Sequence, residues 1–123
     1  MNKTTQERWI AIRYYNGFVF DGKYEVSNWG NLRNAETKKP LATYNNQRGA
    51  GYLKTKITDT EGKRRALYVH KLVAFYFIEQ KPQESGWEVD HIDGNTRNNS
   101  YTNLRYLTHA ENVREAFNRR KAV

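Results

Sequence analysis

Cysteine is absent from the 123 residues, which removes disulfides as a source of stability and thiolate-held zinc as a structural device. It also agrees with a reducing compartment. Proline occurs twice, too rarely for a polyproline linker. Long apolar runs are missing too: the longest, residues 72–78, falls well short of the ~20 residues a bilayer-spanning helix needs. Residues 1–7 are polar and lack the apolar centre of a secretory leader. These absences together predict a cytoplasmic protein. Acidic residues are in deficit as well, 13 against 21 Lys and Arg, for a net charge of +8 and a pI near 9.8.

What is present is polar and aromatic. Hydrophobic residues make up 37% and mean hydropathy is −1.00, so the chain can bury only a modest core, as one domain or a core with a small module. The positive excess fits a polyanionic partner, and equally a basic surface kept for solubility. Aromatic residues reach 14%, nine of them Tyr, which suits packing against sugars and bases.

The most informative stretch is WEVDHIDGNTRNNSYTNLRYLTHAENVREAFNRR, residues 87–120. Trp87, Glu88, Val89 and Asp90 form a β-prone run ending at His91. An Asp-Gly turn and an Asn-rich loop follow, and a second β-prone run, residues 104–107, can return antiparallel. Thr108 stands three residues before Glu111, a capping box that starts a helix to about Arg119. Asn112 then lies in the first helical turn, where its side-chain oxygen can face the hairpin bearing Asp90 and His91. An Asp carboxylate and an Asn carbonyl are hard oxygen ligands for a Mg²⁺-type ion that keeps waters and binds substrate phosphate. His91 is placed to take a proton from water.

Residues 86–120 resemble the ββα-metal core of the HNH endonucleases, and within them the phage and intron-encoded homing enzymes whose triad reads His-Asn-Asn. The separations from His91, twelve residues to Asn103 and twenty-one to Asn112, fit that pattern. The resemblance implies that Asp90 is the first metal ligand, His91 the general base, Asn103 the residue that steadies the loop, and Asn112 the second ligand. It implies one divalent ion, Mg²⁺ first and Mn²⁺ as a substitute, double-stranded DNA as the partner, and products with 5′-phosphate and 3′-hydroxyl ends. The last position is Asn, not the His of zinc-knuckled relatives, which places the chain in the cysteine-free branch. Residues 24–30, YEVSNWG, resemble the small module that precedes the core in the same enzymes, and would support Arg33, Lys38 and Lys39 as phosphate contacts. Such relatives continue into a further DNA-reading segment. Read as ending at Val123, this chain must recognise DNA through residues 1–86 or a second subunit, as a nicking monomer or a homodimer.

The remaining elements are read from periodicity. Residues 9–12 are a strand candidate, and turn signals Asn16-Gly17 and Asp21-Gly22 flank Phe18, Val19 and Phe20. Residues 52–58 and 63–70 alternate in apolar and basic character about an Asp-Thr-Glu-Gly turn, predicting a hairpin. Its Lys54, Lys56, Lys63, Arg64 and Arg65 are candidate DNA contacts or a solvated basic face. Residues 71–80 are apolar almost all round and predict a buried helix ahead of Pro82. The expected fold is α+β: an N-terminal β-rich module, basic hairpin and core helix over 1–80, then a ββα-metal core over 81–123, packed as one unit. Arg97, Arg105 and Arg114 are candidate phosphate contacts, with Arg119, Arg120 and Lys121 either contacts or a solvated tail. A calcium loop is excluded because neither Asp90 nor Asp93 places Gly at the required sixth position. Asp93 is expected to be a turn former, Asn95, Asn98 and Asn99 ordinary loop residues, His109 a neutral surface residue with a phosphate contact as second choice, and His70 a structural hydrogen-bonder ahead of a contact to DNA or the leaving group.

Overall fold

The computed structural model describes residues 6–45, 51–79, 81 and 86–121. Along the chain come β1 (Trp9–Ala11), β2 (Tyr14–Tyr15), β3 (Phe18–Val19), β4 (Tyr24–Ser27), β5 (Leu32–Asn34), β6 (Lys54–Thr58), β7 (Arg64–Tyr68), α1 (Val69–Phe77), β8 (Trp87–His91), β9 (Leu104–Thr108) and α2 (His109–Lys121). The α+β class expected from patterning is the one observed.

In the N-terminal part, β1, β4 and β5 form an antiparallel sheet with β4 in the middle. Val26 lies opposite both Ile10 and Leu32 and is fully buried, which anchors the sheet on its apolar side. The Asn16-Gly17 signal is a tight turn between β2 and β3, with φ of 53° and 88° at the two residues. That left-handed pair matches the twist of a two-residue hairpin and explains the Asn-Gly choice.

The predicted hairpin is β6 paired with β7, closed by a turn in which Asp59 Oδ1 accepts from the Glu61 and Lys63 N–H groups at 2.9 Å each. Alternation sends Thr55, Ile57 and Leu67 inward and leaves Lys54, Lys56 and Arg64 outside. Arg65 departs from the expected basic face. It lies opposite Ile57, its Nε donates to Asp59 Oδ2 at 2.8 Å, and its guanidinium sits 4.1 Å from the Phe18 ring centre. The two-residue period that exposes Lys54 and Arg64 forces Arg65 to the other side, where an acid and an aromatic ring receive it.

The central helix α1 starts at Val69, earlier than the sequence suggests, so Val69 and His70 leave the strand. The Val69 N–H donates to Leu53 O at 3.0 Å, closing the hairpin ladder, and the chain then turns onto the core. Val69, Leu72, Val73 and Ala74 are fully buried there. Burial stabilises by about 1.5–3 kcal/mol for each Val or Leu side chain. Gln80 and Pro82, expected to end the helix, lie outside the described residues. One apolar cluster joins Ile12, Val26 and Leu32 of the N-terminal part, Ile57 and Leu67 of the hairpin, α1, and Leu104 of β9. The β8–β9 hairpin therefore rests directly on α1. Among the described residues no helix is long and apolar enough to cross a membrane.

Candidate active site

Strand β8 pairs with β9 in a register that sets Asp90 opposite Arg105 and His91 opposite Leu104. A strand alternates its side chains, so Glu88 and Asp90 share one face while Val89 and His91 share the other. The second face packs on α1 through Val89 and Leu104. The first is covered by α2.

Helix α2 begins as the capping box requires. The Thr108 N–H donates to Glu111 Oε1 at 3.0 Å and the Glu111 N–H donates to Thr108 Oγ1 at 3.1 Å. These reciprocal bonds satisfy two of the free N–H groups at the helix start, and such a cap contributes about 1 kcal/mol. They also hold the Glu111 carboxyl below its usual range. With the helix start fixed, Asn112 turns to the hairpin and its Nδ2 donates to Glu88 Oε1 at 2.7 Å. The other Glu88 oxygen accepts from His109 Nδ1 at 2.8 Å. Asn112 first and His109 second keep Glu88 below the ordinary carboxylate range, so it is ionised near neutrality. Sequence reasoning left Glu88 out and offered His109 only a phosphate, as a second choice; strand alternation from Asp90 was the available signal for Glu88.

Asp90 is 6% exposed and its Oδ2 accepts from Arg105 Nε at 2.9 Å. The same guanidinium reaches Glu115 Oε1 on α2 at 3.4 Å. Arg105, its side chain still 36% exposed, is therefore paired with two acids. The cause is its register position, directly across from Asp90.

On the other face His91 is 4% exposed and its Nε2 lies 2.7 Å from Asn99 Oδ1. Its ring stacks on Tyr52, with centres 5.7 Å apart and planes 16° apart, and stands 5.0 Å from the ring of His70. Tyr52 also stacks on His70 at 4.7 Å. Burial, helped by the nearby His91 and Lys71, pushes the pKa of His70 down to about 3, so it is neutral. Among the described residues its contacts are ring contacts, and the hydrogen bond expected of it is not among them. Neither Asn99 nor Tyr52 carries a sequence signal for this role.

The loop between β8 and β9 is tied by its own polar side chains. Asp93 Oδ1 accepts from the Asn95 N–H at 2.8 Å, as a turn-forming Asp does, and from Asn103 Nδ2 at 2.9 Å. Asn103 also donates to Asn98 O at 2.9 Å and accepts from the Asp93 N–H at 3.1 Å. These bonds clamp both ends of the loop. Arg119 Nη2 donates to Ile92 O at 3.2 Å, so this side chain caps the hairpin end instead of joining a solvated tail. A cleft of about 610 Å³ opens beside the site, lined by Tyr15, Tyr52, His70, Trp87, Glu88, Tyr106 and Asn112 among others.

Among the described residues no group of three or more His, Cys, Asp and Glu side chains forms a metal cage. The oxygen-bearing groups on this face include Asp90, Glu88 two residues earlier on the same strand, the Asn112 carboxamide that Glu88 binds, and Glu115 on α2, which shares Arg105 with Asp90. A short set of hard oxygens suits a Mg²⁺-type ion that completes its shell with water and phosphate, and does not suit zinc.

A family model for HNH endonucleases matches residues 68–114. An uncharacterized HNH endonuclease of Acanthamoeba polyphaga mimivirus is 40% identical over 97 residues, 76% of this chain and 23% of that protein. The DNA endonuclease I-HmuI of Bacillus phage SP01 is 36% identical over 103 residues, 81% of this chain and 55% of its own. The structure of the HNH homing endonuclease I-HmuI, described in terms of DNA binding and cleavage, matches with a TM-score of 0.72 at 35% identity, over 91% of this chain and 59% of that one. All of these similarities point to the HNH endonucleases. It spans between 23% and 59% of the length of these relatives.

Within this chain the basic residues fall into two groups. Lys56, Arg64, Arg97 and Arg114 are exposed, and Lys54 is partly so, with its Nζ 5.0 Å from the Tyr68 ring centre. Arg65 and Arg105 pair with acids, and two expected phosphate contacts of the N-terminal module also lie beside one. Arg33 and Lys38 both reach Glu25 Oε1, at 2.6 and 3.7 Å, and the Arg33 guanidinium lies 3.7 Å from the Trp9 ring centre.

Proposed function

We propose that this chain is a metal-dependent DNA endonuclease that hydrolyses phosphodiester bonds in double-stranded DNA. The observation that carries the reading is the Asp90–His91 pair on β8: adjacent residues whose carboxylate and imidazole leave the strand on opposite faces, the first beneath α2 and the second tied to the loop. His91 takes a proton from water as the water attacks phosphorus. Asn103 holds the loop that carries this chemistry by bonding Asp93 and Asn98. Asp90 and Asn112 would hold one divalent ion, Mg²⁺ in the first instance with Mn²⁺ as a substitute, which when bound would supply positive charge against the negative charge that develops as the phosphodiester is cut. Glu88 sets the Asn112 carboxamide by taking its N–H, which leaves the carboxamide oxygen for the ion. The products carry 5′-phosphate and 3′-hydroxyl ends. One such site cuts one strand, so a monomer nicks and a symmetric homodimer makes a double-strand break.

Incubation with supercoiled plasmid and Mg²⁺ tests the reading. Wild type should convert supercoiled DNA to nicked or linear forms and lose this activity in chelator. His91→Ala should lose cleavage by several orders of magnitude while binding DNA with unchanged affinity. A metal-supplied wild type that binds but never cuts would establish the alternative, a DNA-binding module derived from a nuclease.

A further inference from the structure

Asn95, Asn98 and Asn103 spend their side chains within the loop, whereas Asn99 points out of it to His91. Both partners of that 2.7 Å contact are 4% exposed. A neutral imidazole has a single N–H, and a carboxamide oxygen at hydrogen-bond distance requires that it be on the facing nitrogen. The Tyr52 stack fixes the ring plane, so one neighbour sets the tilt of the ring and the other its direction.

Asn99 is itself braced by a distant part of the chain. The turn after β4 brings Gly30, with φ +92°, so close that a Cβ there would lie 2.7 Å from Asn99 Cβ and 2.9 Å from its carbonyl oxygen. Any side chain at 30 would drive the Asn99 backbone away. The same turn presents Asn28 O to the Tyr101 N–H at 2.9 Å, and Asn28 is fully buried with its Oδ1 accepting from the Arg8 N–H at 2.8 Å. The turn thus touches the loop at 99 and again at 101.

We propose that Asn99 is the positioning residue for His91: its carboxamide oxygen keeps the proton on Nε2 and leaves Nδ1 as the nitrogen that accepts a proton from water, with the turn at 27–31 serving as the ledge that holds Asn99. The proposal rests on the reading of His91 as the base, and adds which atom acts and what directs it. It also gives the YEVSNWG segment a catalytic purpose beyond its share of the apolar core.

The test uses the full chain, ¹⁵N-labelled, with long-range ¹H–¹⁵N correlation spectra of the histidine rings at about pH 8, above the ordinary imidazole range. Wild-type His91 should show the Nε2–H tautomer. Asn99→Leu, which keeps shape but loses the acceptor, should give a tautomer mixture, and Gly30→Ala should shift the His91 signals in the same direction. In plasmid cleavage, Asn99→Leu should lower kcat at least tenfold with KM and DNA affinity unchanged, and Asn99→Asp, which restores an acceptor oxygen, should recover most of the rate. Should Asn99→Leu fail to fold, the wild-type spectrum and Asn99→Asp still decide. A wild-type Nδ1–H imidazole, or an Asn99→Leu variant with unchanged tautomer and kcat, overturns the role of Asn99. A His91→Ala chain that still cleaves overturns instead the reading of His91 as the base.

Discussion

Glu88 Oε1 accepts a hydrogen bond from Asn112 Nδ2 at 2.7 Å, joining the first strand of the hairpin to the first turn of the helix across twenty-four residues. The bond fixes which end of the Asn112 carboxamide faces the acid, and so which end is left for a cation. If Asn112 holds the proposed ion, Glu88 orients it, as hydrogen-bond partners of metal ligands do.

Glu88→Ala should therefore leave the fold intact and weaken the site. Release of Asn112 should raise the Mg²⁺ concentration for half-maximal cleavage by roughly 10- to 100-fold, the usual cost of losing a ligand's supporting hydrogen bond. Plasmid cleavage across a Mg²⁺ titration measures this. A Glu88→Ala curve superimposable on wild type would dismiss the arrangement.

His70 predicts an acid-sensitive stability. Its folded pKa, near 3, lies below the ordinary imidazole value of 6.5, so the unfolded chain binds a proton that the folded chain refuses. Its contribution is complete above about pH 6.5 and declines as pH falls toward 3, at no more than about 1.4 kcal/mol per pH unit. The groups facing His70 are Tyr52, Tyr68, His91 and Lys71. The depressed carboxylates Asp59, Glu88, Asp93 and Glu111 act in a lower window, since their contributions persist above their unfolded pKa values near 4 and are lost below them. Urea denaturation from pH 7.5 to about 5 should show wild type weakening and His70→Leu nearly flat. Parallel slopes for the two proteins would rule out His70 as the cause.

The hairpin β6–β7 makes a prediction about its two faces. Lys54→Gln, Lys56→Gln and Arg64→Gln should each weaken DNA binding and lower the salt dependence of affinity by about one unit of slope, as loss of a phosphate contact does. Arg65→Gln should leave that slope unchanged and reduce thermal stability, because its partners are Asp59 and Phe18. Binding titrations at several salt concentrations, beside melting curves, separate the cases. An altered salt slope in Arg65→Gln would return that residue to the DNA-facing set.

What could be read directly from the chain was whatever lies close in sequence or follows a strict period. The Thr108–Glu111 cap, the Asn16-Gly17 and Asp59–Gly62 turns, and the Asp93 turn are all settled within four residues, because side-chain and backbone groups that near must meet if they meet at all. The Asp90–His91 adjacency is as local, and with the longer spacing to Asn103 and Asn112 it carries the resemblance to the HNH endonucleases. Tertiary packing decided the rest. Glu88 reaches Asn112, Arg105 neutralises Asp90, Tyr52 and His70 stack on His91, and Gly30 seats Asn99, across separations of fifteen to sixty-nine residues. No local pattern specifies such contacts. They exist because α1 buries its apolar sides against both the N-terminal sheet and the catalytic hairpin, and that shared core places the polar groups within bonding distance.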